Sequence, residues 1–105
     1  MSHTQHIQNL APAELQSLLR AGNISLVDVR EPAEHAAEHI EGASLHPLSA
    51  FDPHQLPQGS VVFHCGTGKR SLTAIQRCLA AGLPHAAHLA GGITAWKQAG
   101  LPTKK

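Results

Sequence analysis

Short apolar runs that alternate with helix-like segments are the strongest constraint this chain places on its own fold. Residues 24–30 (ISLVDVR) and 60–65 (SVVFHC) have the length and branched-chain content of buried strands. Weaker strand candidates are HIQNL at 6–10, ASLHPL at 43–48 with Pro47 closing it, and HAAHLAGG at 85–92. PAELQSLLRAG at 12–22 opens on Pro12, suited to a first helical turn, and ends on Gly22, suited to a helix stop. EPAEHAAEH at 31–39 reads as a short helix, with Glu31 near its positive end. Residues 70–81 carry Leu72, Ile75 and Leu79 at helical spacing, and Gly82 ends the run. ITAWKQAG at 93–100 is a last helix stopped by Gly100, and SAFDPHQLPQG is a proline-broken connection. Strands alternating with helices specify an α/β layer fold with a mostly parallel sheet. Ligands of such sheets sit at the carboxyl ends of the strands, which is where Cys65, Asp28 and Arg30 fall.

With 105 residues, 42% of them hydrophobic, the whole chain 1–105 reads as one domain able to bury a core. A formal net charge of +1 argues against nucleic acid and anionic lipid as partners. No apolar run approaches the roughly 20 residues of a membrane span. The start, MSHTQHIQNLAP, lacks the basic-then-apolar pattern of a signal peptide. With only two cysteines, the expectation is a reducing, cytoplasmic setting.

One of those cysteines opens the segment CGTGKRS, residues 65–71. The reactive form of cysteine is the thiolate, and a free thiol with pKa near 8.5 is only slightly ionised at neutral pH. Lowering that value by about two units takes about 2.7 kcal/mol of preference for the anion. A helix dipole supplies roughly 0.3–1 kcal/mol, too little alone. The segment offers the remainder. Gly66 and Gly68 permit positive φ, so the N–H groups around Thr67 can converge into an anion nest. Lys69 and Arg70 add cationic charge, Ser71 adds a hydroxyl, and a helix starting near Arg70 points its positive end at the sulfur. A nucleotide P-loop fails on spacing, because Phe63 stands where its first glycine belongs and Arg70 where its Ser/Thr belongs. A cysteine phosphatase loop would have one more residue than the four between Cys65 and Arg70. The smaller ring suits attack on a slim terminal sulfur better than on a phosphoryl group.

These residues resemble the rhodanese family of thiosulfate sulfurtransferase-like domains, over roughly Gln8 to Pro102. C-x-x-G-x-R-S stands at Cys65, Gly68, Arg70 and Ser71, and DVRE at Asp28–Glu31. HI-x-GA stands at His39, Ile40, Gly42 and Ala43. The closing L-x-GG-I-x-AW…GLP stands at Leu89, Gly91, Gly92, Ile93, Ala95, Trp96 and Gly100–Pro102. The resemblance implies a three-layer α/β/α fold around a five-stranded, mainly parallel sheet of order 1-5-4-2-3. It implies ping-pong sulfur transfer without a cofactor, through a persulfide on Cys65. The partners would be a small anionic sulfur donor such as thiosulfate and a thiophilic acceptor, cyanide, a thiol or a sulfur-accepting protein. Lys69 stands where many members have a neutral residue, and is read as tuning toward dianionic donors. A non-turnover persulfide carrier or redox sensor is the alternative, with an arsenate- or phosphate-directed enzyme behind it.

Other residues read more plainly. Asp28 and Arg30 are expected to form a structural ion pair, with support of the loop as the alternative role. Cys78 lies about eight residues into its helix, roughly 12 Å from the helix start, too far for a disulfide to Cys65. It is read as core, as is Trp96. His35 with His39, and His85 with His88, lack a third ligand at convincing spacing, so no metal is expected. His64 precedes Cys65 in a strand and should point to the opposite face.

Overall fold

The computed structural model describes residues 7–105. Five strands, β1 (Gln8–Leu10), β2 (Ser25–Asp28), β3 (Ser44–Leu45), β4 (Val61–His64) and β5 (Ala87–Leu89), form one parallel sheet. The order is β1-β5-β4-β2-β3, as the family resemblance implied. Three helices connect strands, α1 (Pro12–Ala21), α2 (Pro32–Ala37) and α3 (Lys69–Ala80), and a fourth, α4 (Gly92–Gln98), follows β5. The proline-broken connection forms two short 3-10 turns, at Leu48–Ala50 and Pro53–Gln55.

The strands are shorter than their apolar runs. β1 begins at Gln8, and His6 of the expected first strand lies outside the described residues. β2 stops at Asp28 because Arg30 folds back, its backbone N–H and its guanidinium both bonding the Asp28 carboxylate. α2 stops at Ala37 because Glu38 is fully extended, φ −165°. α1 and α2 both open on proline, and in each the residue ahead donates its N–H to a glutamate three positions on. Ala11 bonds Glu14 at 2.9 Å and Glu31 bonds Glu34 at 3.0 Å.

Strand alternation divides the core in two. Val27, Val61, Phe63 and Cys65 point to one face and pack against Ala74, Ile75 and Cys78 of α3. Leu26, Val62 and Leu89 point to the other and pack against Leu15 of α1 and Ile93 and Trp96 of α4. Trp96 is 3% exposed and donates its indole N–H to the Pro102 carbonyl at 2.8 Å, the core role expected of it. Every strand therefore delivers its carboxyl end to one rim of a closed, three-layer body, and Cys65 is the first residue beyond the central strand β4.

Candidate active site

The loop after β4 is shaped from below by the start of α4. The Ile93 N–H donates to the Cys65 carbonyl at 2.9 Å and the Thr94 N–H to the Gly66 carbonyl at 3.1 Å. These are first-turn amides that the helix itself cannot satisfy. Gly92 lets them reach: its φ is +63°, and a Cβ there would collide with the carbonyl oxygens of both Cys65 and Gly66. With those carbonyls turned toward α4, the loop amides face the sulfur.

Gly68, at φ +111°, caps α3 and donates its N–H to Cys65 Sγ at 3.0 Å. The Ser71 hydroxyl lies 3.6 Å from the same sulfur. Cys65 is 1% exposed, and such burial pushes a thiol pKa up. The backbone N–H and hydroxyl of Ser71, with the N–H groups of Gly68 and Thr67, outweigh it and hold Cys65 below its ordinary value. The expected nest is therefore present in geometry, with one difference in detail. Only Gly68 uses positive φ; Gly66 lies under the Arg70 guanidinium, where a Cβ would stand 3.2 Å from Nη2.

The cationic side chains differ from expectation. Arg70 does not stand free at the loop: it is held by Glu34 of α2 in a two-pronged pair at 2.7 and 3.0 Å. The pair draws Glu34 down to about 2 and Arg70 up. An anion bound by Arg70 must share it with that carboxylate or displace it. Lys69 is exposed and has no ion-pair partner among the described residues; Thr67 is exposed beside it.

Asp28 and Arg30 form the buried ion pair expected of them, at 2.9 Å, away from the sulfur. Arg30 also donates to the Glu38 carbonyl at 2.6 Å, and His35 Nδ1 meets Asp28 at 2.9 Å, so the pair ties β2 to α2. Burial pushes Asp28 up, but the Arg30 hydrogen bonds and nearby positive charge bring it below its ordinary value. His64 points to this cluster, its Nε2 3.7 Å from Asp28, as strand alternation required. Burial pushes its pKa down. Its one link to the loop is Nδ1 against the Cys65 carbonyl at 3.3 Å.

Cys78 is free and fully buried, and burial alone pushes its thiol up to about 11. Among the described residues no group of three or more His, Cys, Asp or Glu side chains is placed to hold a metal, and no helix is long and apolar enough to cross a membrane. A concavity of about 700 Å³ lies at the opposite rim, between Gln8, Ile24, Ser60 and Ala86 at the amino ends of the strands.

Sequence reasoning missed three contributors. Glu34 is joined to Arg70 across 36 residues, which no local spacing announces. The Gly91–Gly92 pair stood in the family motif without a role. His88 was weighed only as a metal ligand, yet it lies within β5 and its Nδ1 is 2.7 Å from Ser71 Oγ.

A buried cysteine with hydrogen-bond donors at its sulfur thus stands at the carboxyl end of the central strand of a parallel α/β sheet. The model of the Rhodanese-like domain matches residues 11–99, and the chain belongs to that family. An uncharacterized protein of Synechocystis sp. is 47% identical over 99% of this chain, and the chain spans 60% of that relative's length. A sulfurtransferase of Allochromatium vinosum is 34% identical over 83% of this chain and 84% of its own. The crystal structure of a rhodanese-related protein from Thermoplasma volcanium superposes with a TM-score of 0.80. It is 25% identical and covers 92% of this chain and 97% of that one.

Proposed function

We propose that this protein is a sulfurtransferase that carries sulfane sulfur as a persulfide on Cys65, with no cofactor, in the cytoplasm. The observation that carries the reading is the Gly68 N–H set 3.0 Å from a sulfur that also faces the Ser71 hydroxyl. Donors fixed in place before an anion forms stabilise it without reorganisation. The Cys65 thiolate uses a lone pair to attack the outer sulfur of thiosulfate. The donor's sulfur–sulfur bond breaks, and its electron pair leaves with sulfite. The persulfide anion inherits the loop amides. An acceptor nucleophile then attacks the outer sulfur, and the pair from the breaking bond returns to Cys65 Sγ as thiolate. Lys69, exposed on the loop rim, meets the donor's sulfonate oxygens, and Arg70 joins when the anion competes with Glu34.

Incubation with thiosulfate followed by intact-mass measurement should show a gain of one sulfur, mapped to Cys65, with steady thiocyanate release once cyanide is added. No gain in mass with thiosulfate or with a low-molecular-weight persulfide would overturn the reading. The carrier reading is favoured by one observation, the 1% exposure of Cys65, which suits slow exchange with a docked partner. Loading without steady turnover would select it.

A further inference from the structure

A hydrogen-bonded chain runs from the buried sulfur to the exposed edge strand β1: Cys65 Sγ to Ser71 Oγ at 3.6 Å, Ser71 Oγ to His88 Nδ1 at 2.7 Å, and His88 Nε2 to Asn9 Oδ1 at 2.8 Å. It crosses the sheet along one register row, where Asn9 of β1 pairs with His88 of β5 and His88 with Phe63 of β4. Residues at one register in parallel strands share a face, so Asn9, His88 and Phe63 all point toward α3. Phe63 and Cys65 are two apart and share it too.

The proton positions along this chain are strongly constrained. A carboxamide oxygen only accepts, so Asn9 fixes a proton on His88 Nε2. The Nδ1 atom is then the ring's variable position. Ser71 has one hydroxyl proton and three acceptors within reach, Cys65 Sγ, His88 Nδ1 and the Gly68 carbonyl at 3.2 Å. When Cys65 is a thiol, its S–H points at Ser71 Oγ and the Ser71 proton points at a bare Nδ1. When Cys65 is a thiolate, the Ser71 hydroxyl turns its proton toward the sulfur. A bare Nδ1 would then face the hydroxyl lone pairs at 2.7 Å, an opposition that a proton on Nδ1 relieves.

We propose that His88, oriented by Asn9, is the positioning residue that takes up the Cys65 proton through Ser71 and so fixes the nucleophile as a thiolate. The step balances. The Cys65 S–H bond breaks as an O–H bond forms on Ser71, while the original Ser71 O–H bond breaks as an N–H bond forms on His88 Nδ1. One proton moves from sulfur to imidazole, and the charges created, thiolate and imidazolium, stand one hydroxyl apart. The groups facing the ring are Ser71 from α3 and Asn9 from β1, with Cys65 beyond Ser71, and no ion pair among the described residues includes His88. His88 is 5% exposed, and burial pushes its pKa down. An imidazolium there therefore needs the thiolate as its counter-charge, which couples the two titrations.

The proposal rests on Cys65 being the nucleophile, and its test uses no sulfur donor. Nitrogen NMR of the histidine rings in the unaltered protein at neutral pH should show His88 Nδ1 protonated. In Cys65→Ala, which leaves no proton to deliver, Nδ1 should be bare. Ultraviolet titration of the thiolate should place the Cys65 midpoint about one unit higher in His88→Asn, a roughly tenfold loss of thiolate in the rising part of the curve. Ser71→Ala should shift it at least as far, and the double variant no further than Ser71→Ala alone. A bare Nδ1 in the unaltered protein, or an unmoved midpoint in a folded His88→Asn, would overturn the relay. A protein that takes no sulfur from any donor but passes these measurements would lose its proposed function and keep the relay.

Discussion

Cys65 and Cys78 face the same side of the same core, one at the mouth of α3 and one in its third turn, and both are sealed from solvent. Their thiols nevertheless move in opposite directions. Cys65 falls below its ordinary value, and Cys78 rises to about 11. Burial opposes the anion at both. The difference is what the protein aims at the sulfur: three backbone amides and a hydroxyl at Cys65, and for Cys78 nothing that offsets desolvation. Reactivity here is made by donors that outbid desolvation, and exposure is not what separates the two residues.

The largest expected break in this comparison comes from removing each sulfur in turn. Cys65→Ser should abolish sulfur loading and lower turnover by at least about a thousandfold, while Cys78→Ala should leave both near the parent values. Intact mass after thiosulfate and a thiocyanate assay check this.

Gly92→Ala comes next. Its Cβ has no room beside the carbonyls of Cys65 and Gly66, and φ +63° strains any side chain. Denaturant melts should show a loss of about 2–4 kcal/mol. In the protein that remains folded, the Cys65 midpoint should climb toward its ordinary 9.0 while that of Cys78 stays put. An unshifted Cys65 would mean that α4 does not aim the loop.

The alkaline limb separates the two thiols thermodynamically. Cys78 has a folded pKa above its unfolded one, so the unfolded chain releases its proton first. Stability falls as pH rises from about 9.0 to about 11, by on the order of 2 kcal/mol. Cys65, with its folded pKa depressed, works in reverse: its contribution is full above the unfolded value and is lost as pH falls through the folded one. In denaturant melts the parent should exceed Cys78→Ala by the constant cost of the cavity below about pH 9, and that gap should shrink by this amount toward pH 11.

The smallest effect concerns charge alone. Glu34→Gln frees Arg70 and should lower the KM for an anionic donor by roughly two- to fivefold, a modest gain because the pair is partly exposed. The freed Arg70 charge also favours the Cys65 anion, so the Cys65 midpoint should fall slightly. An unchanged KM would assign donor binding to Lys69 and the amides.

The parts of this molecule legible in sequence are those written in local pattern. Val61, Val62 and Phe63 announce a strand buried on both sides, and Leu72, Ile75 and Leu79 announce α3. The sheet order came with the family motifs, and Cys65 with the glycines and cations that follow it in CGTGKRS. Boundaries were less legible, because the chain leaves the sheet where long-range bonds end. Residues 43–48 supply only Ser44–Leu45 of an edge strand that has a single neighbour, β2. The pairing of Arg70 was not legible for a related reason. Its cationic charge is local, but its Glu34 partner comes from another helix 36 positions away. His88 carried no signal because its meaning depends on Asn9 and Ser71, two residues brought to it only by the sheet and α3.

The hold of α4 on the loop also has a consequence in time. Peptide synthesis delivers Cys65 well before Gly92, Ile93 and Thr94, whose backbone is needed to orient the carbonyls behind the sulfur. A nascent chain still lacking those residues carries an unactivated mercaptan, and a fragment ending at Gly91 should titrate like free cysteine. The nucleophile is thus armed only once the polypeptide has been extended through the start of α4.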